Sequence, residues 1–262
     1  MRVVVMGAAG RMGATVCRAV LDASDMELVA VVDPPHEGEP LDDFGVSGTG
    51  LTLEMVGPQV KKADPQVAVD FTNLDGVRGN TRWCAMNGVH AVVGTTGLTP
   101  DDMQDLSGLF DGERANAVVA PNFAIGAVLM MRLAATAAPW FETAEIIELH
   151  HDNKIDAPSG TAMLTAERMA EASTEWAPDP TEKRTLEGAR GGKGPAGIPI
   201  HSVRLRGLVA HQEVLLGTTG QSLTIRHDSY DRTSFMPGVL LAIREVGNRP
   251  GLTVGLDSLL GF

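Results

Sequence analysis

The feature that most constrains what this chain can fold into is its opening. RVVVM runs from Arg2 to Met6, GAAGRMG follows from Gly7 to Gly13, and a helical pattern then continues to about Ala23. A short β-branched run suits a strand buried on both faces of a parallel sheet, and the helix supplies the crossover that a parallel neighbour needs. Gly7 suits the tight turn, Gly10 a close approach of backbone to a pyrophosphate, and Gly13 close packing of helix on strand. The spacing is GxxGxxG, where the commoner dinucleotide-binding turn is GxGxxG, so the turn does not identify a ligand alone. The next strand, ELVAVVD, ends in Asp33, 20 residues after Gly13, where a carboxylate can accept hydrogen bonds from an adenosine ribose diol. Strand, turn, helix, strand and acid in this order predict a dinucleotide site; the plainer alternative is a βαβ unit without one.

The alternation continues. Residues 34–50 are rich in Gly, Pro and acids without periodicity and read as an exposed loop with no assigned chemistry. VAVDF (Val67 to Phe71) resumes the buried-strand pattern, a helix carries Trp83 and Cys84, and HAVVG leads into Thr95, Thr96 and Gly97. AVVA ends in Pro121, Asn122 and Phe123 before a helix over Ile125 to Ala137. Gly, Pro and Asn occur in ordinary turns for backbone reasons. Their position after successive parallel strands nevertheless places these loops with the glycine turn at one rim of a doubly wound sheet, where such sheets bind ligands.

After Pro139 the pattern changes. AEIIELHH is a strand, and HHDNKIDAPSGTA (His150 to Ala162) leads into the helical run AMLTAERMAEA. Ser159, Gly160 and Thr161 open that helix, whose first backbone N–H groups suit a carboxylate or phosphate. Lys154 adds a mobile cation, and His150 and His151 belong to the residue type that exchanges protons near neutral pH. Adjacent strand residues face opposite ways, so the plain reading is one covered and one open imidazole, and the pair is poorly placed to share a metal ion. Residues 177–199 are a long Gly, Pro and charge-rich stretch. Strands follow at about Ile200 to Gly207, Ala210 to Gly217 and Ser222 to Ser229, then a helix at about Ser234 to Val246 that returns to the first domain.

The fold class expected is therefore α/β: an N-terminal Rossmann-type doubly wound parallel sheet with a second α+β domain on a mixed or antiparallel sheet. The expected division is residues 1–121 with 233–262 for the dinucleotide and 122–232 for substrate and oligomerisation. Cys17 and Cys84 lie in helical patterns and read as small buried hydrophobes. A formal charge of −12 argues against nucleic acid and acidic membranes, so an anionic ligand needs a local positive pocket. No apolar run is long enough to span a bilayer and no export signal opens the chain, so a cytoplasmic protein is expected.

Taken together, GAAGRMG, VVGTTG (Val92 to Gly97), APNFAIG (Ala120 to Gly126) and above all ELHHDNKIDAPSGTA (Glu148 to Ala162) make the chain resemble the 4-hydroxy-tetrahydrodipicolinate (dihydrodipicolinate) reductase family over nearly its whole length. GLVAHQEVLLG and LTIRHDSYDRTSF look like that family's C-terminal domain. The resemblance implies NAD(P)H-dependent reduction of a cyclic dicarboxylate in diaminopimelate and lysine biosynthesis, by a homotetramer assembled through the substrate-domain sheets. It implies cofactor contacts at Gly7, Ala8, Ala9, Gly10, Arg11, Met12, Asp33, Gly94, Thr95, Thr96, Ala120, Pro121, Asn122 and Phe123. Proton donation falls to His150 and Lys154, and substrate binding to His151, Ser159, Gly160 and Thr161. Asp152 and Asn153 stand where the family often has a basic or larger residue. Asp33 would repel a ribose 2′-phosphate and Pro34 and Pro35 offer it no donor, although Arg11 partly compensates, so NADH is expected to serve at least as well as NADPH. No metal requirement is expected. The other readings are a different amino-acid or semialdehyde dehydrogenase, and a non-catalytic redox sensor that binds dinucleotide.

Overall fold

The computed structural model describes all residues, 1–262, as two compact units: Met1–Phe123 with Phe235–Phe262, and Ala124–Ser234. In the first unit, β1 (Arg2–Met6) is followed by α1 (Arg11–Asp22) and β2 (Glu27–Val32). Val3, Val4 and Val5 are fully buried, as a strand covered on both faces requires. Then come β3 (Leu53–Glu54), α2 (Pro58–Lys62), β4 (Val67–Asp70), α3 (Leu74–Asn87), β5 (His90–Val93), α4 (Pro100–Leu109) and β6 (Ala117–Val119). These strands pair in parallel in the order β6-β5-β4-β1-β2-β3. The chain thus winds outward from β1 in both directions, and the crevice between β1 and β4 is the switch point where open α/β sheets bind ligands.

Residues 34–50 are not the wholly exposed loop expected. Two short 3-10 turns, Pro34–His36 and Leu41–Phe44, fold the segment against the sheet, and Leu41 and Val46 are buried. The absence of periodicity hid this, because two isolated apolar anchors leave no repeating pattern.

The second unit holds α5 (Ile125–Ala137), β7 (Thr143–His150), α6 (Gly160–Ala172), β8 (Gly192–Lys193), β9 (Pro199–Arg204), β10 (Ala210–Thr218) and β11 (Gln221–Ser229). Its sheet runs β11-β10-β7-β9-β8 and is mixed, with β7 and β9 parallel and the other neighbours antiparallel. Along β7 the buried residues alternate, Ala144, Ile146 and Glu148, so a carboxylate occupies the covered face two residues before the strand ends.

The chain returns to the first unit as α7 (Met236–Val246) and β12 (Leu252–Val254), which pairs with β6 and completes a seven-stranded parallel sheet. Buried Asn116 anchors the return: its Nδ2 donates to the carbonyls of Val246 (3.0 Å) and Gly247 (3.2 Å), and its Oδ1 accepts from Gly251 N (3.0 Å). Cys17 and Cys84 are both buried in helices, as expected. Burial pushes the Cys17 thiol up to about 12 and that of Cys84 higher still, so both are unreactive. No helix is long and apolar enough to cross a membrane.

Candidate active site

In the first unit the glycine turn is built almost entirely from backbone. Gly7 and Ala8 N–H both donate to Val32 O (2.8 and 3.1 Å), and Gly10 N–H donates to Gly7 O (3.1 Å), which closes the turn. Gly7 has φ +80°, and a methyl group there would lie 2.8 Å from Phe71 O; one at Gly13 would lie 2.0 Å from Gly7 O. Both positions therefore exclude any side chain, as a close helix–strand approach demands. Gly10 serves as the N-cap of α1 without side-chain capping, and the first turn carries no acid. The N–H groups of Arg11, Met12 and Gly13, which no intrahelical carbonyl can reach, thus form an anion site of the phosphate-binding kind.

Asp33 lies beside this turn, buried, with Oδ2 accepting from Ala9 N–H (3.1 Å) and Oδ1 from His36 Nδ1 (2.9 Å). Each oxygen keeps acceptor capacity for a ribose hydroxyl. The loops after β4 and β5 are locked to each other by a residue that sequence reading missed, Asp70, which is 2% exposed. Its Oδ1 accepts from Thr72 N (2.9 Å), Thr72 Oγ1 (2.6 Å) and Thr95 Oγ1 (3.0 Å), and its Oδ2 from Asn80 Nδ2 (2.7 Å). Gly94 and Thr95 are thereby held at the sheet rim, and Thr96 is left exposed. Thr72, Asn73, Leu74, Asp75, Thr95 and Thr96 line an open depression there. After β6, Ala120 N–H donates to Val93 O (3.1 Å), Pro121 is exposed, and the Phe123 ring packs 5.7 Å from Phe71. The first unit thus brings the glycine turn, Asp33 and both rim loops to the carboxyl edge of one sheet. A glycine cradle that admits no side chain, an uncapped helix start and an acid fit a dinucleotide.

In the second unit the site is built from side chains. Glu148 is fully buried and accepts hydrogen bonds from several elements, the Ser202 side chain among them. His150 Nδ1 donates to Oε2 at 2.5 Å, Arg204 donates through both terminal nitrogens at 2.8 Å each, and Ser159 N–H donates to Oε1 at 3.2 Å. The parallel register that pairs His150 with Arg204 brings the guanidinium into place. Burial pushes the Glu148 carboxyl up, but hydrogen bonds from His150 and Arg204 outweigh it and hold the group at about 2. Ser159 caps α6, its Oγ accepting from Ala162 N–H (3.2 Å), and no acid lies in the first turn after Gly160 and Thr161. Lys154 Nζ donates to both oxygens of Asp156 (2.7 and 2.8 Å), while Arg204 donates to the Asp156 carbonyl (2.6 Å). One buried carboxylate therefore joins His150, the start of α6 and, through Arg204, the Lys154 loop. His151 is exposed and outside this network, and Asp152 forms an ion pair with Arg206 at 2.8 Å.

Two family models cover the chain: "Dihydrodipicolinate reductase, N-terminus" matches residues 1–123 and "Dihydrodipicolinate reductase, C-terminus" matches residues 126–260. This chain belongs to the dihydrodipicolinate reductase family. It is 52% identical to a 4-hydroxy-tetrahydrodipicolinate reductase of Mycobacterium ulcerans over 264 residues, covering 100% of both chains. It is 52% identical to one of Nocardia farcinica, covering 99% of this chain and 98% of that one. A dipicolinate-bound dihydrodipicolinate reductase from a Paenisporosarcina species has the same fold, with a TM-score of 0.87 and 43% identity over 98% of each chain. The family is one of oxidoreductases that use a nicotinamide dinucleotide, and the expected fold class, family and enzyme class all stand.

Glu148, Arg204, Asp156 and Asp70 are among the polar residues that sequence reading passed over. Glu148 carried a signal, since a carboxylate two residues before His150 on a strand must share its face. Arg204 carried none, because its place depends on the pairing of β7 with β9.

Proposed function

We propose that this chain reduces 4-hydroxy-tetrahydrodipicolinate, through its dehydrated form, to tetrahydrodipicolinate in diaminopimelate and lysine biosynthesis. The observation that carries the reading is the buried Glu148 clamp, which sets a histidine beside an anion-binding helix start and a lysine loop. In the reaction, dehydrated substrate, NAD(P)H and a proton give tetrahydrodipicolinate and NAD(P)⁺. When bound, the dinucleotide supplies the hydride to carbon 4 of the ring. The electron pair displaced onto the neighbouring carbon must then take up a proton, so a positioned acid is required.

Glu148 accepts only, so it holds the proton of His150 on Nδ1 and leaves Nε2 for substrate. Lys154 uses two N–H bonds on Asp156, and the third is available to a substrate carboxylate or to the carbon that is protonated. The start of α6, with Gly160 and Thr161, meets a substrate carboxylate, and His151 lies at its open side. In the first unit, the start of α1 takes the pyrophosphate, Asp33 the adenosine ribose, and the loops Gly94–Thr96 and Ala120–Phe123 the nicotinamide end. NADH serves at least as well as NADPH. No metal takes part, so a chelator leaves turnover unchanged.

The same reading makes the protein a cytoplasmic homotetramer. Ile147, Leu149, Val203 and Leu215, half-buried on the sheet face away from α5 and α6, support assembly through that sheet. Light scattering should give four times the 27.6 kDa of one chain. The test of function is a coupled assay in which pyruvate and aspartate semialdehyde are condensed by the preceding enzyme and NADH absorbance is followed. Adding this protein should start oxidation that depends on both precursors; a flat trace would leave the redox-sensor reading in its place.

A further inference from the structure

The acid assigned to the adenosine ribose is not alone. Pro34 and Pro35 fix the backbone of a 3-10 turn directly after Asp33, and the turn closes with His36 N–H donating to Asp33 O at 2.9 Å. The turn folds the His36 ring back over the Asp33 side chain, where Nδ1 donates to Oδ1 at 2.9 Å. The Phe44 ring, edge-on with centroids 4.9 Å apart, braces the imidazole from the next turn. Asp33 is thereby the shared partner of the glycine turn, through Ala9 N–H, and of one titratable ring.

We infer that His36 sets the coenzyme preference of this reductase: protonated, it neutralises Asp33 and admits a ribose 2′-phosphate, whereas neutral, it leaves Asp33 as the charge that selects an unphosphorylated ribose. The inference rests on the placement of the dinucleotide proposed above. A lone carboxylate at this position repels a phosphate at every pH above its own ionisation, but an imidazolium–carboxylate pair presents no net charge. The charged groups acting on the ring favour its protonated form. The hydrogen bond to Asp33 raises His36 above the ordinary imidazole value, burial opposes it, and Asp33 and Glu39 add attraction. The neighbouring elements carry Glu54 on β3, Asp42 and Asp43 on the turn of Phe44, where Asp42 accepts from Gly48 N–H, and the cation Arg18 of α1, which donates to Gly45 O at 2.9 Å. Arg11, exposed at the first position of α1, is the one cation of the glycine turn. As pH rises through the His36 ionisation, the pair becomes a net anion and NADPH loses ground to NADH.

The test compares kcat/KM for NADPH and NADH in the full-length enzyme, His36→Gln and Asp33→Ala from about pH 5.5 to about pH 8.5. The 2′-phosphate itself ionises near pH 6, but it does so identically in every variant, so the readout is the wild-type ratio divided by that of His36→Gln. This quotient should fall by about threefold to tenfold as pH rises and level off once His36 is neutral, while the glutamine variant should retain only the pH dependence of the 2′-phosphate itself. Dissociation constants from NADPH and NADH fluorescence should follow the same course. Superimposable wild-type and His36→Gln profiles would overturn the role of His36 while leaving the ribose placement intact. If Asp33→Ala changed the KM of neither coenzyme, the ribose placement itself would fail, and the inference with it.

Discussion

The two sites are made of different material. The first unit offers backbone: three N–H groups at the start of α1, a turn that admits no Cβ at Gly7 or Gly13, and a single acid. The second unit works with side chains, a buried Glu148 tied to His150, Arg204 and Ser159, with Lys154 held on Asp156 beside them. The division follows from what each must do. A pyrophosphate is a fixed charge that only needs to be met by dipoles, whereas a proton transfer needs an ionisable group in a defined tautomer and place. Adding a methyl group should therefore damage the first site, and removing a functional group should damage the second.

That contrast breaks most visibly at the two residues proposed to donate the proton. Replacing both His150 and Lys154 by Ala should lower kcat by about a hundredfold to ten-thousandfold in the NADH oxidation assay, no more than the worse single change, because the two act on one step. Glu148→Gln should lower kcat on the order of tenfold to hundredfold, as for other partners that orient a histidine. Denaturant titration of the same variant should show about 3 kcal/mol of lost stability, because Arg204 is left without its counter-charge. The pH course of that loss has a defined sign. The folded value of Glu148, about 2, lies below the ordinary 4.5, so its contribution is complete above 4.5 and disappears as pH falls through about 2. The gap in thermal midpoint between wild type and Glu148→Gln should close over that window.

Smaller effects sharpen the comparison. Thr161→Ala should mainly raise the substrate KM, by about tenfold, with kcat little changed, as expected for a carboxylate anchor. Gly13→Ala should raise the KM for NADH and cost about 1 to 3 kcal/mol of stability, since its methyl group would meet Gly7 O at 2.0 Å. Arg11→Ala, which removes an exposed side chain but no backbone donor, should change the KM for NADH by less than about threefold.

The same distinction explains how much was readable from sequence. Backbone sites leave marks in glycine spacing and strand ends, so β1, the turn, β2 and Asp33 could be placed residue by residue, and α5 was bounded at Ile125 and Ala137. The short elements β3, α2 and β12 carry two to five residues, too few to show a period, and β3 and β12 form where a neighbouring strand offers an edge. In α4 a Thr99–Asp102 capping box was present in the sequence and passed over. Side-chain networks leave weaker marks. Arg204 is 56 residues from Glu148 and reaches it only through a parallel pairing that no local pattern announces. His36 was lost in the same way, inside a stretch whose composition looked like loop.

The most direct test of the division between a backbone-built cofactor site and a side-chain-built proton site measures two quantities on Lys154→Ala. One is kcat in the coupled assay, and the other is the dissociation constant for NADH from fluorescence titration. The predicted result is turnover reduced at least about a hundredfold with NADH binding unchanged. Near-normal turnover, or a loss of NADH affinity that matches the loss of rate, would contradict it.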